Sequence, residues 1–428
     1  MLLEKIAGKY QLNAEVTAFM QQYGYAGAVA KQVWPLPELA DEILLKRCEE
    51  LNLLEARSEI QAALERTADD LELKTLFCYL HFYWFKLDNA PIYGYKLPDL
   101  KICAPQDGDI LNLALAISGC GAVEKKFAEL GLAKSYAAAA LQRIREDAQL
   151  YTQRIGHWGY PESGHHWMRF FAEGKLFRIG RLEYMIEPEI MKFLPRIFRH
   201  KSSGNIIALC RSNWQLDAEG FQLWRDIKEE PYCIAQLEED EQFIRGIPID
   251  PNGRAETDKI AVLDKEEYEA LWLDGDLVPD VHIPPGGNMR PELCQESLAA
   301  AQKFFAELTG RTVKGFSSFS WIFNPDFCEV LPEANLTKFM QQLYLMPFSG
   351  SSLSGLSFVF GKEDQNWSDY PAENSLQRAF HQLRKLGRRL KTGGMFIEAE
   401  GIKEFGSQYY RRSYHELMQS RALHIEQK

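Results

Sequence analysis

The residues best placed to do chemistry lie in "VPDVHIPPGGNM", Val278 to Met289. Asp280 and His282 alternate with Val281 and Ile283, so on a strand the two polar groups share a face. An imidazole whose intrinsic pKa is about 6.5 suits taking a proton from an ammonium near neutral pH. The competing reading is a hydrogen-bonded structural histidine. A hard turn follows, Pro284-Pro285-Gly286-Gly287-Asn288, and then helical spacing from Pro291 to Leu308. Gly286 and Gly287 let backbone approach a ligand with no Cβ in the way. The first turn of the helix offers free N–H groups and the positive end of its dipole. Strand, glycine turn and helix start together suit a pyrophosphate, or they are a plain connection. Pro284 and Pro285 contribute no N–H donors, and Glu292 places negative charge near the helix start.

Other stretches carry weaker signals. In "FRIGRLEY", read as one strand, Phe177, Ile179, Arg181 and Glu183 share a face. Arg181 and Glu183 are then either an ion pair holding the sheet or a pair facing substrate, with Glu183 the second candidate base. Arg181 beside it favours the charged carboxylate, so Glu183 ranks behind His282. In "VKGFSSFSWIF", Ser317, Ser318 and Ser320 stand among aromatics and leave room beside the preceding strand. His157, His165 and His166 in "GHWGYPESGHHWM" match no defensible metal spacing and read as an aromatic-rich interdomain loop. The segment "NSLQRAFHQLRKLGRRLK" reads as one helix capped by Asn374 or Ser375. Its apolar stripe is Leu376, Ala379, Phe380, Leu383 and Leu390. Its six basic residues, Arg378, Arg384, Lys385, Arg388, Arg389 and Lys391, are either a solvated face or an anion site. No G-x-S-x-G elbow, P-loop or H-E-x-x-H is present.

These stretches need elements to hold them. Residues 1–155 carry leucines and alanines at helical spacing and predict a helical N-terminal domain. "DNAPIYGYKLPDLKICAPQDGD" inside it reads as a loop. The character changes at about residue 156. Strand-like runs dominate afterwards: "LFRIGRLEYMIE", "GNIIALCRSNWQL", "QFIRGIPID", "KIAVLD", "LVPDVHIP", "VKGFSSFSWIF" and "LSFVFGK". Two helices interrupt the late runs, Pro291 to Leu308 and one within "NPDFCEVLPEANLTKFMQQLYLM". The expectation is an α+β chain: a helical domain over 1–155, then a mixed sheet domain over 156–428, long enough for two halves, 156–260 and 261–428.

Composition bounds the partners. The 428 residues are 46% hydrophobic and 25% charged, as in an ordinary globular protein. A net charge of −11 disfavours nucleic acid, which needs a basic face. The eight cysteines are scattered without C-x-x-C spacing, the usage of a reducing compartment. "LFCYLHFYWF" is ten residues, too short for a bilayer that needs about 20, and reads as a buried core helix. The N-terminus has no secretory pattern. The expected location is the cytoplasm, with no membrane partner and no metal.

The order and wording of several blocks resemble a known family. "FRIGRLEY", "VHIPPGGNM", "CQESLAAAQKFF", "FSSFSWIFNPDF", "EANLTKF" and "SLQRA" are similar to a bacterial family of acyltransferase-domain proteins. That family has a helical N-terminal domain and a C-terminal domain like the GNAT superfamily of N-acyltransferases. The resemblance covers most of residues 150–390. The turn departs from the superfamily's usual Gln/Arg-x-x-Gly-x-Gly/Ala, because here the glycines are adjacent. The resemblance implies acetyl-CoA or another acyl-CoA as co-substrate and a small-molecule amine or peptide as acceptor. It implies cofactor contacts at Ile283, Gly286, Gly287, Asn288, Met289 and Ser320, and a base at His282 or Glu183. A non-catalytic module that binds a ligand or partner is the alternative.

Overall fold

Leucines three and four residues apart wind the first part of the chain into α-helices, from Leu2–Lys9 to Gly164–Ala172. The computed structural model describes residues 2–30, 33–88, 91, 97–186, 189–224, 228–364, 366–420 and 423–427. The chain divides into two compact units: Met1–Ile179 with Pro284–Gly287, and Gly180–Ile283 with Asn288–Lys428. In the first, helix Leu71–Phe85 is buried on nearly every side, as the ten-residue apolar run predicts, with Asp70 accepting from the Leu73 N–H at its start. No helix among the described residues is long and apolar enough to cross a membrane.

Two loop readings in this unit need correction. Residues 89, 90 and 92–96 of "DNAPIYGYKLPDLKICAPQDGD" lie outside the described residues. Of the remainder, Leu100–Cys103 is helical and another helix begins at Gly108. The histidine-rich segment is a loop only in its first part, because Gly164–Ala172 is a helix. A Cβ at Gly164 would lie 2.5 Å from the Tyr160 ring, so glycine alone lets the helix begin there. The three histidines separate. His157 Nε2 is 2.7 Å from Asp109 Oδ2, while His165 Nε2 is 3.1 Å from Asn112 Oδ1. His166 lies against the Trp84 ring.

The second unit is built on a sheet whose strands we number in chain order: β1, Leu182–Met185; β2, Asp280–His282; β3, Gly315–Ser320; β4, Tyr344–Phe348; β5, Thr392–Glu398. Their spatial order is β1-β2-β3-β5-β4. β2 and β3 run parallel, so their link must cross over, and helix α1, Pro291–Thr309, makes the crossover. Among the described residues, the chain between β1 and β2 supplies all of two further sheets, of five and two strands, and three of the four strands of another. The Tyr344 hydroxyl joins one of these to the main sheet: it donates to the Ile249 carbonyl (2.5 Å) and accepts from the Ala208 N–H (3.1 Å). The Tyr344 ring stacks on Phe396, centroids 4.5 Å apart.

Three sequence expectations change here. "FRIGRLEY" is two strands, Leu176–Ile179 and β1. Gly180 (φ +61°) turns the chain, so Arg181 sits on the turn and does not share a strand face with Glu183. "LSFVFGK" is a short helix, Leu356–Phe360, between Gly355 and Gly361, both at positive φ. An apolar run this short has no period that separates strand from helix. "LYLM", assigned to a helical stretch, enters strand β4.

The basic segment is also revised. Helix α2 is Ser375–Lys385, opened by a capping box between Asn374 and Gln377, and Gly387 (φ +68°) follows its end. Arg388, Arg389 and Lys391 are therefore past the helix and hold internal carboxylates. Lys391 Nζ is 2.7 Å from Asp326 and 3.2 Å from Glu219, and Arg254 is 2.9 Å from Asp326. Arg388 reaches Glu329 at 3.3 Å, and Arg389 pairs with Asp217. Neither a solvated face nor an open anion site describes these three.

Two measurements check this packing. The Asp326 side chain is fully buried and Lys391 is 5% exposed, so Asp326→Ala takes from the buried ammonium its nearer partner and leaves it only the half-exposed Glu219. It should lower unfolding free energy in urea by about 3–5 kcal/mol. Glu329→Ala, at a side chain 52% exposed, should cost under about 1 kcal/mol. His165 is buried, and burial, reinforced by the charge of His166, holds its pKa down to about 3. The unfolded chain therefore binds a proton that the folded chain refuses. Stability is full above pH of about 6.5 and falls as pH drops toward about 3, by up to about 1.4 kcal/mol per pH unit. His165→Gln should flatten that slope in urea titrations at successive pH values.

Candidate functional site

Strand β2 has a neighbour on each side, and the registers decide what meets what. Against β1 it runs antiparallel, with Asp280 opposite Met185, Val281 opposite Tyr184 and His282 opposite Glu183. The two candidate bases are thus direct cross-strand neighbours on one face. His282 Nε2 lies 3.3 Å from Asp280 Oδ2, two residues back on the same face. The three differ in access: the His282 side chain is 27% exposed and that of Asp280 15%, while Glu183 is fully buried.

The opposite face of these strands is closed by α1. Tyr184 touches Phe305 and Phe316, with centroids 6.1 and 5.4 Å away, and its hydroxyl is 2.8 Å from Ser297 Oγ. Burial raises the pKa of the Tyr184 phenol, so it stays protonated. On the same helix, burial pushes the Cys294 thiol up to about 12. The thiolate is the nucleophilic form, so Cys294 is inert at neutral pH. With the helix on one side, the Glu183–Asp280–His282 group occupies the other.

The parallel edge matters most. In register, Asp280 of β2 stands opposite Ser317 of β3. One residue on, a side chain takes over, and Ser318 Oγ donates to the Val281 carbonyl at 2.5 Å. Ser317 Oγ is buried without a hydrogen-bond partner among the described residues. The strands therefore end their backbone ladder just before His282.

The expected cofactor residues are dispersed along this motif. Ile283 follows β2 and is half-buried. Gly286 and Gly287 take φ of +70° and +66°, a backbone region that side chains other than glycine rarely adopt, and both are exposed. A Cβ at Gly286 would meet nothing within 4 Å, so the space beside it is open. The Asn288 carbonyl accepts from Arg181 Nε (3.2 Å), and its side chain accepts from Asn335 (2.7 Å). Met289 is half-buried. Helix α1 begins after Arg290, which makes no side-chain capping hydrogen bond, with Pro291 in the first turn. Ser320 ends β3 and accepts from the Ile322 N–H at 3.4 Å, so its hydroxyl caps the short helix Trp321–Phe323. By strand alternation Ser320 points to the α1 side, away from the face of His282.

The sequence does not single out Arg181 as a support for Asn288, because a lone glycine in a strand-like run does not reveal the turn at Gly180. Nor does it single out Phe193, Phe319 and Phe348, which meet beside this face from three separate parts of the chain. The alternation of Ser and Phe in β3 was the one local signal. Among the described residues no group of three or more His, Cys, Asp and Glu could hold a metal ion.

The fold has known relatives. It superposes on a solved acyltransferase in complex with decanoyl-CoA and teicoplanin, with a TM-score of 0.61 and 17% identity over 93% of this chain and 99% of that one. An acyltransferase in complex with CoA and 10C-teicoplanin gives 0.60 and 18% over the same shares. One in complex with decanoyl-CoA gives 0.59 and 16%, again over 93% and 99%. At such identities the likeness speaks for the fold. No curated protein matches the chain. Residues 176–401, more than half of the sequence and the whole of the strand–turn–helix motif, match the GNAT-like C-terminal domain, and the chain belongs to that family.

Proposed function

We propose that this protein transfers an acyl group from acyl-CoA to an amine carried by a small molecule or peptide. The observation that carries the reading is the parallel β2–β3 pair, whose ladder ends at Asp280 and Ser317 with His282 at the opening. Backbone groups released there can polarise a thioester carbonyl, a use of fixed dipoles that needs no covalent enzyme intermediate. The amine nitrogen attacks the carbonyl carbon, the C–N bond forms, the C–S bond breaks, and coenzyme A leaves as its thiol. His282 takes the proton from the amine, oriented by Asp280 at 3.3 Å. Glu183, cross-strand and fully buried, is the second candidate and has poorer access to an acceptor. Gly286 and Gly287 take the pyrophosphate, beside the uncapped start of α1. The decanoyl-CoA and teicoplanin bound by a structural relative support both the donor and the acceptor class. A cytoplasmic location fits the eight free thiols.

Two variants test the reading. Gly287→Val forces a branched Cβ onto a positive φ and into the approach of the phosphates. Calorimetry with acetyl-CoA should show at least about tenfold weaker binding with the fold retained by circular dichroism. Equal affinity, or no binding by the wild type, would remove the cofactor assignment. For His282→Ala, turnover in an amine-library screen read by thiol release should fall by about 10²-fold or more, with acyl-CoA affinity nearly kept. An unchanged pH–rate profile would return His282 to a structural role.

A further inference from the structure

Beside His282, on the same face of the sheet, lies an apolar platform that the transfer of an acetyl group does not need. Phe319 stands two residues after Ser317, as His282 stands two residues after Asp280, so alternation brings both to one level of the face. The Phe319 ring lies against Phe348 of β4, centroids 4.2 Å apart, and Phe193 meets the two at 6.2 and 6.4 Å. Phe193 is 49% exposed, and the other two are half-buried. Three phenylalanines in mutual contact and partly open to water form the kind of apolar patch that marks a ligand or partner.

The strand between Phe319 and Phe348 is β5, and opposite Phe319 it carries Gly394. A Cβ at Gly394 would lie 2.6 Å from Met346 Cε and 3.0 Å from Phe319 Cδ1. The missing side chain lets the rings of β3 and β4 meet across β5. From His282 on β2 to the far end of the platform on β4 there are three strand intervals of about 4.8 Å each, two of them under the platform itself. An acetyl methyl is too short to cover it.

Resting on the acyl-CoA reading above, we infer that Phe193, Phe319 and Phe348 seat the chain of a donor much longer than acetyl. The occupant is an acyl chain because the platform begins where that reading places the thioester carbonyl, and the chain leaves that carbon along the same face. Each methylene brought out of water onto the rings adds several-fold to affinity, so donor length is selected by apolar area.

The test is calorimetric titration of wild type, Phe193→Ser and Phe348→Ala with free coenzyme A, acetyl-CoA and decanoyl-CoA. Wild type should bind decanoyl-CoA at least about thirtyfold more tightly than acetyl-CoA. The ratio should fall about fivefold in Phe193→Ser and about tenfold in Phe348→Ala. Phe193 is half-exposed, so its variant decides the matter if Phe348→Ala fails to fold. Binding of coenzyme A and acetyl-CoA with no preference for the longer chain, or the same preference in every folded variant, would overturn the seat and leave the acyl-CoA reading standing. Absence of binding by any of the three ligands would overturn both.

Discussion

The second unit depends on one constraint, that two strands placed side by side run the same way. A parallel pair cannot be closed by a tight hairpin, so β2 and β3 need a long connection, and α1 provides it. A right-handed crossover must leave the carboxyl end of the first strand and return to the amino end of the second. The helix start and the last strand residue therefore lie at one end of β2. The helix also decides which side chains remain available: its apolar face claims Tyr184 and Phe316, and alternation leaves Glu183, Asp280 and His282 to the other side.

How much of this was legible follows from how local each signal is. The early helices, α1 and the β2–β3 crossover were readable because their periods extend over many residues. The pairing of Asp280 with His282 needed only alternation. The cross-strand meeting of Glu183 with His282 was not readable, since it depends on a register set by chain a hundred residues away. The break at Gly180 was hidden for a related reason: one glycine in an apolar run looks the same whether it extends a strand or turns it. "LSFVFGK" failed on length, being too short to show a period.

Charge was the least legible property. Six cations and no acid across one stretch looked like an open basic surface. Three of them, Arg388, Arg389 and Lys391, have counterions Asp217, Glu219, Asp326 and Glu329, all distant in sequence. Buried cations matched by carboxylates add little net stability, but removing one partner is costly, so such a cluster fixes one arrangement and penalises others. Composition counts charges and carries no information on which of them face each other.

The Tyr344 hydroxyl bears on how this domain can be altered. It satisfies one backbone donor and one backbone acceptor from chain inserted between β1 and β2, and it does so from the main sheet. Excising the insertion would strand a buried phenol, and exchanging Tyr344 for phenylalanine would orphan two backbone groups of the insertion. Insertion and host sheet are thus bound to drift together, each conserving a shape only the other requires. The inserted chain is not a detachable ornament that engineering can swap among relatives, and chimeras cut at its borders must carry Tyr344 and its two backbone partners as a set.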